Sequence, residues 1–217
     1  MPTLTRTESE VRSSHLRAFR LPSVGPVDRV ALVPEQAVLL AGDQVTVSVR
    51  VPTGRSLEIV EPGGTVAYAM RGQQARWDVS VDVETGGRLV WRGEPFVVAE
   101  GADVDRSLTV ELGPGAALVL RETLVLGRSG EGPGLLRVAT SVLRDGAPLV
   151  VEELDCATGL GPHRVLDQVL HVGSGAQPGE HSLVLESGDV LDRWLGGRAH
   201  ESPLRSEGPA QSSASPE

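Results

Sequence analysis

Three stretches of this chain carry the same spacing of apolar residues around a glycine, and this spacing limits the possible folds more than any other feature. Val47, Val49, Val51, Gly54, Leu57 and Ile59 form the first copy; Val79, Val81, Val83, Gly86, Leu89 and Trp91 the second; Leu108, Val110, Leu112, Gly115, Leu118 and Leu120 the third. In each, apolar residues lie seven, five and three positions before the glycine, and three and five after it. Ala139, Ser141, Leu143, Gly146, Leu149 and Val151 form a weaker fourth copy. The four glycines are 32, 29 and 31 residues apart, a period typical of repeat architectures. Alternation at period two marks strands. A glycine turn this short excludes a crossover, so each unit reads as a β-hairpin. One hairpin cannot bury its own apolar face, whereas stacked copies can. The prediction is an all-β fold of repeated hairpins, stacked in a β-solenoid-like or two-layer body with few or no helices. An ordinary β-sandwich is the alternative, and the matched positions of three copies favour the repeat.

The strand after the third turn holds an anomaly. Alternation places Leu118, Leu120, Glu122, Leu124, Leu126 and Arg128 on one face, so Glu122 interrupts an apolar stripe. A carboxylate there costs free energy unless it finds a partner. Arg128 lies six residues on, about 20 Å along a strand, and cannot be that partner. It either closes a surface turn or pairs with a carboxylate of a neighbouring repeat or across an interface. Seven residues after the four glycines stand Glu61, Gly93, Glu122 and Glu153. Stacking would align the three carboxylates in an acidic column, with Glu94 close by. Such a column is either a polar path through the body or a set of charges at strand ends facing solvent.

The chain of 217 residues suits one domain, or one domain with a tail. The formal charge of −9 argues against nucleic-acid binding, which calls for a basic patch. All 20 basic residues are arginine, suited to bidentate carboxylate pairing. The single cysteine, Cys156, forms no internal disulfide. The N-terminus shows no apolar signal-peptide core, and no stretch has the length of a membrane span. A cytoplasmic location without membrane association is expected by default.

The composition divides the chain into a polar N-terminal segment over residues 1–26, an all-β domain over 27–195 and a disordered Ser-, Pro- and Glu-rich tail over 196–217. Within the domain, strands are expected at residues 27–33, 38–40, 65–70 and 96–99 beside the repeats. Residues 155–162 break the pattern. Residues 163–172 and 181–191 read as two further strands, or the first as a short helix.

No Gly-rich phosphate loop, Gly-x-Ser-x-Gly elbow or His-Glu-x-x-His is present, and the expectation is a protein that is not an enzyme. The best metal candidates are Cys156 and His163, with His171 and His181, since thiolate and imidazole suit nickel, copper or zinc. Their spacing fits no standard structural zinc site. Each also has a plain reading, the cysteine as a small buried hydrophobe and the histidines as surface residues.

The segment Glu122-x-Leu-x-Leu-Gly-Arg-x-x-Gly-Glu131 resembles the most recognisable stretch of the UreD/UreH urease accessory proteins. Gly42-Asp43 before a Val-rich strand resembles that family's early Gly-Asp, and Thr65-Val-Ala-Tyr68 its Thr-rich segment ending in Tyr. The similarity extends over residues 28–154. The Gly-Gly that precedes Gly-Asp in the family is Leu40-Ala41 here, and both ends are shorter, so the resemblance is to a shortened member of that family. The resemblance implies an all-β maturation factor that binds apo-urease, joins UreF and the GTPase UreG, and acts as scaffold and chaperone in nickel insertion. It implies motif or interface roles for Gly42, Asp43, Tyr68, Gly127, Arg128 and Glu131. It also implies no tightly bound cofactor, with nickel held transiently, and Glu61, Glu122 and Glu153 would suit its passage. The alternative is a ligand- or carbohydrate-binding β module, which three Trp and one Tyr serve poorly as aromatic platforms.

Overall fold

The computed structural model describes residues 8–35 and 39–206. The expected loose ends at residues 1–7 and 207–217, and the expected strand start at residue 38, lie outside the described residues. In chain order the strands are β1 (Glu10–Ser13), β2 (Leu16–Val24), β3 (Val27–Pro34), β4 (Gln44–Val51), β5 (Ser56–Val60), β6 (Thr65–Ala67), β7 (Ala75–Val83) and β8 (Arg88–Arg92). β9 (Phe96–Val98), β10 (Asp103–Leu112), β11 (Ala117–Leu126), β12 (Leu135–Arg144) and β13 (Ala147–Asp155) follow. A single helical turn, α1 (Cys156–Gly159), precedes β14 (Val165–Val172), β15 (Ser182–Val184) and β16 (Val190–Gly196). Two 3-10 turns, Ala199–Glu201 and Pro203–Ser206, end the described chain.

These elements form two facing sheets. One runs β1-β4-β7-β10-β12-β13; the other runs β2-β3-β5-β8-β11-β14-β16-β15, with β6 and β9 beside it. The fold is all-β and its coils stack as in a β-solenoid. The pairing inside each repeat differs from the expected hairpin. β4 and β5 flank Gly54 yet lie in different sheets, as do β7 and β8 around Gly86, and β10 and β11 around Gly115. Each repeat is therefore an arch. β4, β7 and β10 pair in parallel with one another, as do β5, β8 and β11, so the edges a hairpin would need are already used. The register is the one that the repeat spacing demands. Val79 pairs with Val47 and Leu108; Val81 with Val49 and Val110; Leu89 with Leu57 and Leu118. Hairpin and arch share a period of two, so alternation alone does not separate them.

The fourth copy is a true hairpin and its register slips by one. Arg144 pairs with Ala147 across Asp145 and Gly146, both at positive φ (52° and 74°), the geometry of a type I′ turn. Val110 pairs with Val142, and the inward residues are Leu136, Val138, Thr140 and Val142; Ala139, Ser141 and Leu143 face outward. This hairpin ends the stacking of arches in its sheet. At the other end of the stack, β1 pairs antiparallel with β4 and β2 with β3, so residues 10–24 belong to the body and are not a separate segment. Residues 196–206 are likewise not tail: the 3-10 turn Pro203–Ser206 packs on β14 and β16.

Candidate functional site

The space between the sheets divides into two halves. Next to the arch turns it is dry: the rows Val49–Val81–Val110 and Leu57–Leu89–Leu118 are all at most 3% exposed. Toward the opposite end the same strands turn aromatic and ionic. The row Val45–Trp77 on the six-stranded sheet continues with Arg106. On the facing sheet, Ile59 and Trp91 precede Glu61 and Gly93.

Arg106 is the partner that Glu122 requires. Alternation on β10 turns it inward between Val104 and Leu108, and its Nη1 donates to Glu122 Oε1 across the gap between sheets. The pair is buried, with side chains 13% and 6% exposed. The guanidinium lies over the Phe96 ring at 5.3 Å, and Phe96 meets Trp77 edge to face at 5.4 Å. Arg106 Nε is buried and makes no hydrogen bond among the described residues. A small cavity of about 40 Å³ lies among Glu61, Trp91, Phe96, Arg106 and Glu122.

The network continues from Glu122 toward the surface. Gln168 Nε2 donates to Glu122 Oε2 at 3.1 Å, and Gln168 Oε1 accepts from Arg193 at 2.8 and 3.1 Å. Arg193 forms a bidentate pair with Glu152 at 2.8 and 2.6 Å. The expected acidic column is thus kept at Glu61 and Glu122 and changed at its third member. Glu153 is exposed and lies off the interior, because the fourth copy is slipped by one and Glu152 points inward instead. Gly93 interrupts the column for a backbone reason: a Cβ there would lie 2.9 Å from the Arg121 carbonyl oxygen. Glu61 accepts from Trp91 Nε1 at 2.7 Å and from the Glu94 backbone N–H at 2.9 Å. Burial pushes its carboxyl above the ordinary carboxylate range, against those two bonds and the nearby Arg106 charge.

The family-like motif residues gather outside, at the end of the coils away from the arch turns. Gly127 has φ 84°, and a Cβ on it would sit 2.3 Å from the Gly132 carbonyl oxygen, so only glycine closes this loop. Arg128 pairs with Glu131 of the same turn, its Nε at 2.9 Å, and not with a neighbouring repeat. This pair holds the Glu131 carboxyl below its usual range. The Arg128 guanidinium lies 6.0 Å from the Tyr68 ring. Tyr68 in turn is tied to the Gly42-Asp43 loop, donating its N–H to the Leu39 carbonyl at 3.0 Å. Asp43 Oδ2 accepts from the Leu40 N–H at 2.7 Å, closing its turn. Gly42, Asp43, Tyr68, Gly127, Arg128 and Glu131 therefore share one rim of the stack.

The metal candidates do not come together: among the described residues no three of His, Cys, Asp and Glu group to hold an ion. Cys156 is 1% exposed, and burial, then Asp155 and Glu152, push its thiol up to about 12, which keeps it protonated at neutral pH. His163 is exposed. His171 lies 3.4 Å from Asp192 on the far face of the ten-stranded sheet. Among the described residues, no helix is long and apolar enough to cross a membrane.

Arg106, Glu152, Gln168 and Arg193 are site residues that repeat spacing alone does not single out. Arg106 carried a readable signal, since it breaks the inward stripe of β10 as Glu122 breaks that of β11.

Comparison with known proteins matches the UreD urease accessory protein model to residues 6–193. The chain is 47% identical over 191 residues to urease accessory protein UreD 1 of Streptomyces griseus, covering 80% of this chain and 75% of that one. It is 35% identical to UreD 2 of Saccharopolyspora erythraea, covering 73% of this chain and 59% of that one. It is 36% identical to UreD of Streptomyces avermitilis, covering 70% and 65%. The match spans both sheets, the buried network as far as Arg193 and the loop rim, and on that ground the chain belongs to the UreD family of urease accessory proteins.

Proposed function

We propose that this protein is a non-catalytic scaffold and chaperone that binds apo-urease with UreF and UreG in the cytoplasm while nickel is inserted. The observation that carries the reading is the family match over residues 6–193. The interior supports it. An ionic network costs stability relative to an apolar core, so its retention beside a dry core calls for a role beyond folding. Nickel is cargo, and the polar half of the interior is the route assigned to it, past Glu61 and Glu122 with Glu152 in the place of Glu153. Oxygen ligands hold nickel weakly, which suits passage and not storage. Passage requires Arg106 to release Glu122.

Co-expression of urease, UreF and UreG with and without this chain tests the reading through nickel-dependent urease activity. Activity that needs the chain is the expected result. Full activity in its absence, with no co-purification, would overturn it.

A further inference from the structure

We propose that the uncovered half of the outer face of the ten-stranded sheet is a docking surface for an acidic, amphipathic segment of a partner protein. The two halves of this face differ. Over β14 every outward side chain is buried, and on β11 Val119 and Thr123 are: Val119 is 7%, Val169 6% and Asp167 0% exposed. The 3-10 turn Pro203–Ser206 packs on β14 and β16. Over β2, β3, β5 and β8 the same face carries no such cover among the described residues. One row there reads Phe19, Ala31, Val60, Arg92, and the next reads Leu21, Arg29, Glu58, Val90. Phe19 is 43% exposed.

Charge selects the occupant. The chain has a formal charge of −9, yet this strip is basic. Glu58, the carboxylate of those two rows, is already paired with Arg29 at 2.6 Å. Arg17 stacks on Phe19 at 5.1 Å and is itself paired with Glu35 at 3.6 Å, so the unpaired cations of the strip are those of β8. Arg88 and Arg92 flank Val90 on the outward side of β8, are exposed, and make no ion pair among the described residues. Exposed guanidinium groups beside an aromatic and two valines are the composition of interface hot spots. A nucleic acid needs more phosphate-neutralising cations than this strip supplies. The chain's own residues 207–217 contain no aromatic or large aliphatic side chain to cover the apolar half. A second copy packed two-fold through the same strip would set Arg88 and Arg92 near their own equivalents, and like charges repel. A partner helix or strand with carboxylates on one side and leucine-like side chains on the other satisfies both halves of the strip.

The identity of the partner rests on the maturation reading; the surface itself does not. The test is co-purification of the full chain with UreF, UreG and apo-urease, comparing wild type with Arg88→Glu/Arg92→Glu and separately with Val90→Asp. Thr109→Glu, on the opposite outer face, serves as the control. The expected result is loss of one partner by at least tenfold in both test variants, with thermal unfolding of the charge-reversal variant and partner capture by the control unchanged. A photo-crosslinking residue at position 90 should attach to an acidic, apolar segment of that same partner. Equal capture of all partners by wild type and both test variants would overturn the docking surface and leave the maturation reading standing. Wild-type protein that captures none of the three would overturn the maturation reading. Variants that lose only self-association in sedimentation would assign the face to a second copy and overturn the proposal.

Discussion

The two halves of the interior are built on the same strands and follow opposite rules. Near the arch turns, Leu89 and Val81 lie in rows of their own kind, and every neighbour is apolar. Near the rim, Trp77 and Arg106 face inward on β7 and β10, four residues before Val81 and Val110. The dry half gains stability from every group it buries. The ionic half must recover the desolvation of Arg106 and Glu122 through their mutual bond before it gains anything. The contrast teaches that the repeat needs only one half of each strand to specify its register, which leaves the other half available for polar chemistry.

Removing one partner of the buried pair is the hardest test of this division. Arg106→Ala leaves Glu122 with only Gln168 and should cost about 3–5 kcal/mol in denaturant unfolding. Leu89→Ala in the dry half should cost about 2–5 kcal/mol by cavity formation. The informative variant is Arg106→Met/Glu122→Leu, which replaces the pair by apolar groups. It should unfold at or above the wild-type temperature while urease activation is lost. A stable double variant that still activates urease would reduce the polar half to a structural feature.

A second contrast is in pH. Glu84 lies at the arch end, and its carboxyl is held low by the hydrogen bond from Arg50, then by the Thr53 backbone N–H. Glu61 lies in the ionic half and its carboxyl is raised by burial. The signs are opposite. Glu84 contributes stability above the ordinary carboxylate pKa and loses it as pH falls through its lowered folded value. The contribution of Glu61 is complete below the ordinary value and is lost as pH rises through its raised folded value. Urea midpoints from pH 4 to 7 should therefore show Glu61→Gln gaining on wild type as pH rises and Glu84→Gln falling behind. Two variants that drift in the same direction would break the assignment.

The dry half was readable before any coordinates, and the ionic half only in part. Equal offsets of Val49, Val81 and Val110 around three glycines predict the observed parallel register, because identical side chains stack best on themselves. Whether each turn is a hairpin or an arch was not readable from alternation, which both share. The Asp145-Gly146 dipeptide carried the missing information: it is a type I′ hairpin signature, and Thr53-Gly54, Thr85-Gly86 and Pro114-Gly115 are not. This turn shifts the fourth copy by one residue and sets Glu152, not Glu153, toward the interior. Glu122 needs a partner by its place in an apolar stripe, but a contact between facing sheets has no fixed sequence separation, so the only sign of Arg106 in the sequence is that it breaks its own stripe.

The smallest effect on stability is expected at the rim, where charge is paired in water and not in the interior. Arg128 and Glu131 close one turn, with side chains 52% and 24% exposed, so solvent screens most of their attraction. Arg128→Ala should leave the unfolding temperature unchanged, unlike Arg106→Ala. Gly127 keeps the loop in place through its backbone geometry, whatever stands at the next position. If the rim is an interface, the same substitution should still weaken co-purification with the maturation partners, because it removes the cation beside the exposed Tyr68 ring. Salt should mimic that loss in the wild type and have little further effect on the variant. Undiminished co-purification by Arg128→Ala would make the arginine a turn-closing group alone and leave the functional charges of this protein to the network buried between its sheets and to the strip of Arg88 and Arg92.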